Sequence, residues 1–262
     1  MNTLPSQQNA ERGAFSSFEA CRNTQKGPVV ILASGASAKQ FPLRDFAHLP
    51  VIAMNGSVAL TAACAVKPFF YVCTDKSFRD QQPELFATAL RDSQRLALWP
   101  EQFVGADIPD DTECYPLHKA DTPGLIDGLR GHGSSHVCSR ALWSKRARSI
   151  AFSKDLSTGY YDARTVAYVA LQLAYHLGFE QVLMVGVDLD QTVGRFYERD
   201  GGEHSPCGLD QHWDTRILPS LTLMAEQVVN EHFQVYNLSA VSRIPPEIIP
   251  KIGLPEARRM AV

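Results

Sequence analysis

Short, continuous apolar runs recur along the chain, each closed by small polar residues. Pro28–Ala33 (PVVILA) runs into Ser34-Gly35-Ala36-Ser37-Ala38, and Pro50–Met54 (PVIAM) into Asn55-Gly56-Ser57. Pro68–Cys73 (PFFYVC) runs into Thr74-Asp75-Lys76-Ser77, and Arg95–Trp99 (RLALW) is closed by Pro100. Val182–Val187 (VLMVGV) ends on Asp188 and Asp190, and Phe233–Leu238 (FQVYNL) on Ser239. Runs of this length and character predict strands buried on both faces. Helical stretches fall between them, over 59–65, 84–91 and 219–231. The most regular one carries Val166, Val169, Ala170, Leu173, Ala174 and Leu177 at helical spacing, with Gly178 where a helix C-terminus expects glycine. A turn, Ser157-Thr158-Gly159, stands ahead of it. Strands alternating with helices predict an α/β fold: a Rossmann-like, mostly parallel sheet flanked by helices.

In such sheets ligands bind beyond the carboxyl ends of the strands. Ser34, Asn55, Thr74 with Asp75, and Asp188 with Asp190 all occupy strand ends, so they form the predicted rim of one cleft. A strand entering a turn of glycine and small residues also brings backbone N–H groups close to a phosphate. The GxGxxG fingerprint is absent, which argues against a standard dinucleotide site. Residues 101–150 are rich in Pro, Gly, Asp and His and predict a long, lid-like loop with short elements. The boundaries that follow are a flexible tail over 1–26, one α/β domain over 27–240, and a proline-rich C-terminal extension over 241–262 that wraps the surface.

Composition narrows the function. The 262 residues carry a net charge of -3, so no global basic field draws the protein to nucleic acid. Six cysteines lie scattered without a CxxC pair, as expected of reduced thiols in a cytoplasmic protein. No apolar run reaches the ~20 residues needed to span a bilayer. Arg140, Lys145, Arg146 and Arg148 cluster locally. This reads as a solvated face, the sharper alternative being contact with an anionic acceptor or a membrane surface. His132 and His136 lack further ligands for a metal. His204, Cys207 and His212 match no standard zinc spacing.

Taken in order, the VVILASGAS, IAMNGS and FFYVCTD strand ends and the STG-helix-LGFEQVLMVGVD unit resemble the bacterial lipooligosaccharide sialyltransferases. Their relatives include lipopolysaccharide core proteins and a pterin pyrophosphokinase-like group. The resemblance covers roughly residues 28–240 and implies a GT-A-like variant of the Rossmann-like fold with a CMP-sugar pocket. It implies Ser34 and Gly35 beside the phosphate, Asn55 and Thr74 on nucleotide or phosphate, and Ser157, Thr158 and Gly159 on the donor. Asp188 would bind the ribose or orient the site. It further implies a histidine general base, His212 with His204 as rival, and a tyrosine hydroxyl, Tyr197, that steadies the departing phosphate. Where that family has a tyrosine beyond its S-G-I-D motif, this chain has Asp190. The resulting Asp188-Leu189-Asp190 opens a Mg²⁺ alternative, although a donor with one phosphate needs no metal.

The expected function is inverting transfer of a CMP-activated ulosonic acid, Kdo or a sialic-acid-like sugar, to a lipopolysaccharide or lipooligosaccharide core sugar. No cofactor is required. The enzyme would be cytoplasmic, with peripheral contact at the inner membrane; a homo-oligomer remains open. Two other expectations stand beside it. One is an Mg²⁺-dependent, ATP-using pyrophosphokinase-like enzyme. The other is a non-catalytic nucleotide-sugar-binding protein.

Overall fold

Each of the six apolar runs forms a strand within two residues of its predicted bounds. The computed structural model describes residues 15–130, 135–140, 144–190, 194–197 and 208–261. In chain order the strands are β1 (Pro28–Leu32), β2 (Val51–Met54), β3 (Phe70–Cys73), β4 (Arg95–Leu98), β5 (Glu113–Pro116), β6 (His136–Cys138), β7 (Ala151–Ser153), β8 (Gln181–Val185) and β9 (Gln234–Asn237). Seven of them make one sheet in the order β5-β4-β3-β2-β1-β8-β9, and every neighbouring pair is parallel. Helices cover both faces, so Val29, Val30, Ile31 and Leu32 of central β1 are all fully buried. That double coverage is why the run is continuously apolar rather than alternating.

Strand order reverses at β1. The chain steps outward through β2, β3, β4 and β5 on one side, then returns to place β8 and β9 on the other. The crevice between the carboxyl ends of β1 and β8 is therefore the topological switch point, where an open α/β sheet offers a ligand site.

Three stretches add detail to the sheet. Residues 101–150 carry the short elements expected of them. They supply edge strand β5, in which only Tyr115 is buried, and strands β6 and β7 form an antiparallel pair. A half-exposed edge strand needs no apolar run, which is why ECYP gave no signal. The N-terminal segment is tied down from Phe18, because Phe18 and Cys21 are buried and the Phe18 ring lies 5.2 Å from Tyr115. In the C-terminal extension the helix Leu254–Met260 buries Ala257, and Ser242, like Ser239 just before the extension, reaches back to the end of β8. Among the described residues, no helix is long and apolar enough to cross a membrane.

The long helix runs Val166–Leu177 and ends at Gly178 in the left-handed conformation, φ +95°. It is buried almost all round, including the polar side chain of Gln172. Gln172 is tolerated because its amide is fully paired. Oε1 accepts from the N–H groups of Ser153 (3.0 Å) and Tyr161 (2.9 Å), and Nε2 donates to the carbonyls of Tyr161 (2.9 Å) and Tyr168 (3.1 Å). One side chain thus pins β7 and the strand-like segment after Ser157 to the helix. Gln172→Leu strands those backbone groups, each costing about 1–3 kcal/mol. We expect a loss of about 3 kcal/mol, read as a lower urea midpoint at unchanged slope; a midpoint equal to the parent's would refute the assignment.

Candidate active site

The switch-point crevice opens into a cleft of about 450 Å³. Its floor is the meeting of two strand ends. Gly35 donates its N–H to the Gly186 carbonyl at 2.9 Å, closing the ladder between β1 and β8. A side chain at Gly35 would collide with that carbonyl and with the Asp188 carboxylate, so only glycine lets the turn lie this close. Asp188 is buried, 3% exposed, and its carboxylate holds the turn from below. Oδ2 accepts the Ser37 N–H at 3.0 Å; Oδ1 accepts the Ser37 hydroxyl and, at 2.6 Å, the Ser239 hydroxyl. Asp188 is thus a positioning residue that fixes the Ser34–Ser37 turn.

The ends of β2 and β3 supply one wall. Asn55 sits at φ +46°, and its buried Oδ1 has no hydrogen-bond partner among the described residues. A buried acceptor left open at a cleft is fit to receive an N–H or O–H from a ligand. Gly56 follows because the Tyr197 ring packs directly on it, where a Cβ would collide. Thr74 lines the cleft, and its carbonyl accepts the Trp99 indole N–H at 3.0 Å. The Trp99 ring meets Tyr160 edge-on at 5.9 Å.

The roof and the far wall come from loops. Phe196 donates its N–H to the Ser34 carbonyl, and Arg195 bridges to Gly35, so residues 194–197 lie across the phosphate-type turn. Arg195 lines the cleft and donates to the Tyr197 hydroxyl at 2.9 Å. Opposite, Tyr160, Asp162, Arg164 and Thr165 line the cleft from the extended segment between the Ser157 turn and the long helix. Lys119 pairs with Asp162 at 2.7 Å. Burial raises the Asp162 pKa, but the Lys119 ammonium and the Arg164 N–H outweigh it and hold the carboxyl below its usual range.

His212 closes the helical turn Leu209–His212 and is followed by a π-helical turn, Trp213–Ile217. Such turns recur at functional sites. Its placement is fixed from the C-terminal extension. Arg243 pairs with Asp210 at 2.5 Å, stacks 4.3 Å over the Trp213 ring, and donates its N–H to the Asp188 carbonyl at 2.8 Å. His212 lines the main cleft and also a second cavity of about 350 Å³ beside it.

Of the residues singled out in the sequence, Ser34, Gly35, Asn55, Thr74, Asp188, Asp190 and His212 therefore line one cleft. Tyr197 adjoins it through Arg195. Ser157, Thr158 and Gly159 do not line it. The Ser157 hydroxyl and N–H are spent on Asp155 Oδ1 (2.6 and 3.0 Å), the Thr158 hydroxyl on the Asp155 carbonyl (2.8 Å), and Gly159 packs against the Lys119–Ala120 backbone. This turn supports the wall of the cleft from behind. His132, His204 and Cys207 lie outside the described residues. Tyr160, Asp162, Arg164, Lys119 and Trp99 were missed, because no local pattern marks residues that meet only across 40 or more positions.

A parallel sheet with a polar cleft at its switch point, bounded by loops on the carboxyl side, defines a Rossmann-like α/β protein of the GT-A-like kind. Over residues 18–254 the chain matches the 3-deoxy-D-manno-octulosonic acid transferase WaaZ family, and it belongs to that family of glycosyltransferases. It is 30% identical over 239 residues to a probable 3-deoxy-manno-octulosonic acid transferase of Salmonella typhimurium, covering 87% of each chain. It is 28% identical to the protein of the same description from Escherichia coli, over 86% of this chain and 82% of that one. Among solved structures it is similar in fold to the MAf glycosyltransferase of Magnetospirillum magneticum, with a TM-score of 0.51 at 14% identity. That match covers 95% of this chain and spans 38% of the longer protein.

Proposed function

We propose that the chain transfers a CMP-activated ulosonic acid, Kdo or a close analogue, to a sugar of the lipopolysaccharide core, with inversion and with His212 as general base. The observation that carries this reading is the position of His212 where the nucleotide-sized cleft meets a second cavity. Lys119, Tyr160, Asp162, Arg164 and His212 line both cavities; a transfer needs a base between its two substrates, and the histidine is the group among them best suited to take a proton from a hydroxyl.

In this reading the nucleotide lies along the strand ends. The donor phosphate rests on the N–H groups of the Ser34–Gly35 turn, Asn55 Oδ1 accepts from the base or ribose, and Thr74 donates beside it. Arg195, steadied by the Tyr197 hydroxyl, faces the phosphate. The acceptor hydroxyl enters from the second cavity and gives its proton to His212. Its oxygen bonds to the anomeric carbon as the bond to the CMP oxygen breaks, and CMP leaves carrying the electron pair. The charge on the departing phosphate is met by fixed donors, the usual source of such stabilisation.

No metal enters these steps. The Asp188 carboxylate already accepts three protein hydrogen bonds and is poorly placed to give its oxygens to Mg²⁺ as well. We place the enzyme in the cytoplasm, at the inner-membrane surface where an amphiphilic acceptor is presented. Isothermal titration should show CMP binding more tightly than AMP or ATP, and transfer from CMP-Kdo should persist in EDTA. Preference for ATP with strict Mg²⁺ dependence would instead return the pyrophosphokinase-like reading; CMP binding with no transfer would return the binding-protein reading.

A further inference from the structure

The second cavity has a composition unlike the first. Its wall carries four cationic side chains, Lys119, Arg146, Arg164 and Arg216, against one carboxylate, Asp162. Asp162 is taken by Lys119. Among the described residues no carboxylate pairs with Arg146, Arg164 or Arg216. The Arg164 backbone N–H donates to Asp162 Oδ1 at 2.7 Å, while the side-chain bonds of Arg146 and Arg216 go to neutral groups. Arg216 donates Nε–H to the Asp162 carbonyl (2.8 Å) and Nη1–H to the Ser149 hydroxyl (2.6 Å), while Arg146 donates to the Thr215 hydroxyl at 3.3 Å. A guanidinium has five N–H donors, so Arg216 keeps donors to spare.

The chain spends structure on this crowding. Arg164 stands at φ +64°, a left-handed conformation that is costly for a residue with a side chain. Arg216 sits in the π-helical turn directly after His212. Burial lowers the Arg216 pKa, and the Arg164 and Arg146 charges lower it further against the pull of Asp162. Four cations gathered around one carboxylate, in a concave wall that adjoins the donor cleft at His212, leave an excess of positive charge that an anion brought in by the second substrate would match. The cluster that reads in the sequence as a solvated basic face is, at Arg146, a wall of this cavity.

We propose that Arg146, Arg164 and Arg216 form an acceptor subsite that binds an acidic group, carboxylate or phosphate, on the acceptor sugar and so aims its hydroxyl at His212. The proposal rests on the transferase reading for its orientation, but the subsite itself can be tested without the reaction. The probe is core oligosaccharide released from lipopolysaccharide, used intact, dephosphorylated with hydrogen fluoride, or with its carboxyl groups reduced. Binding is measured by isothermal titration to the full chain without donor, for the parent and for Arg146→Gln/Arg164→Gln. Both positions are exposed, which favours a folded variant, and circular dichroism checks it.

We expect the intact oligosaccharide to bind the parent with an affinity that weakens as salt is added, and the double variant to bind at least about tenfold more weakly, with an unchanged circular dichroism spectrum. Loss of binding after dephosphorylation assigns phosphate; loss after carboxyl reduction assigns carboxylate. Equal binding by parent and variant, or equal binding of all three oligosaccharides, overturns the subsite. Absence of oligosaccharide binding to the parent overturns it as well. If the parent binds no CMP while the variant still loses the oligosaccharide, the donor reading fails and the subsite stands.

Discussion

His212→Ala is expected to lower transfer by about 10²–10⁴-fold, the range for loss of a positioned general base. CMP affinity and thermal stability should stay as in the parent. The three expectations follow from where the side chain sits. It lines both cavities but stands apart from the turns that carry Ser34, Asn55 and Thr74, which belong to other strand ends. Its ring has no recorded hydrogen bond among the described residues, so truncation leaves no buried partner stranded. The segment that carries it is held by Arg243 through Asp210 and Trp213, neither of which depends on the imidazole. Progress curves with CMP-Kdo and a core acceptor, with titration of CMP alone, separate the outcomes. Unaltered turnover in His212→Ala together with a large loss in His204→Ala would transfer the base to the rival histidine. A parallel loss of CMP affinity would mean that His212 serves the nucleotide rather than the proton.

The sheet was legible because its signal is local. A strand buried on both faces must be apolar at every position, and β1, β2, β3, β4 and β8 each announce themselves in four or five consecutive residues. The first half of the site was legible for the same reason. Strand ends are found once strands are found, so Ser34, Asn55, Thr74 and Asp188 follow from the sheet. The other half is not written locally. Tyr160, Asp162 and Arg164 lie on a segment that Gln172, inside the helix, clamps through the Tyr161 backbone. Lys119 joins them through an ion pair across 43 positions and a short ladder between Lys119 and Tyr160. The Ser157-Thr158-Gly159 turn is a different case. Its small polar residues resemble a ligand-binding turn, yet Asp155, two residues earlier, takes their hydrogen-bonding capacity as the cap of that turn. The Arg146 cluster could not be separated from a solvated face until the hairpin connection carrying it was seen against the π-helical turn.

Asp188→Ala is expected to lower the melting temperature by about 10 °C and to abolish measurable CMP binding. The carboxylate is the shared acceptor for three donors, the Ser37 N–H, the Ser37 hydroxyl and the Ser239 hydroxyl. Alanine leaves all three without it in a site that is almost closed to water. Hydrogen bonds to a charged group contribute about 1.5–3 kcal/mol each, and the serine hydroxyls can turn elsewhere, so a net loss of about 3–4 kcal/mol is a measured expectation. At about 2–4 °C per kcal/mol for a domain of this size, that corresponds to roughly 10 °C. CMP binding fails for a different reason: the turn that would hold the phosphate is positioned from beneath by this one carboxylate, which also joins the end of β9 to the end of β8 through Ser239. Scanning calorimetry and titration should therefore move together. Asp188→Asn, which keeps one acceptor oxygen and the side-chain shape, should fall between parent and alanine in both. The metal alternative predicts another pattern. If the carboxylate held Mg²⁺, Asp188→Ala would keep its melting temperature without metal, and parent activity would vanish in EDTA and return with Mg²⁺. A stable Asp188→Ala protein with metal-dependent parent activity would thus remove the positioning role and restore Asp188 and Asp190 as ligands.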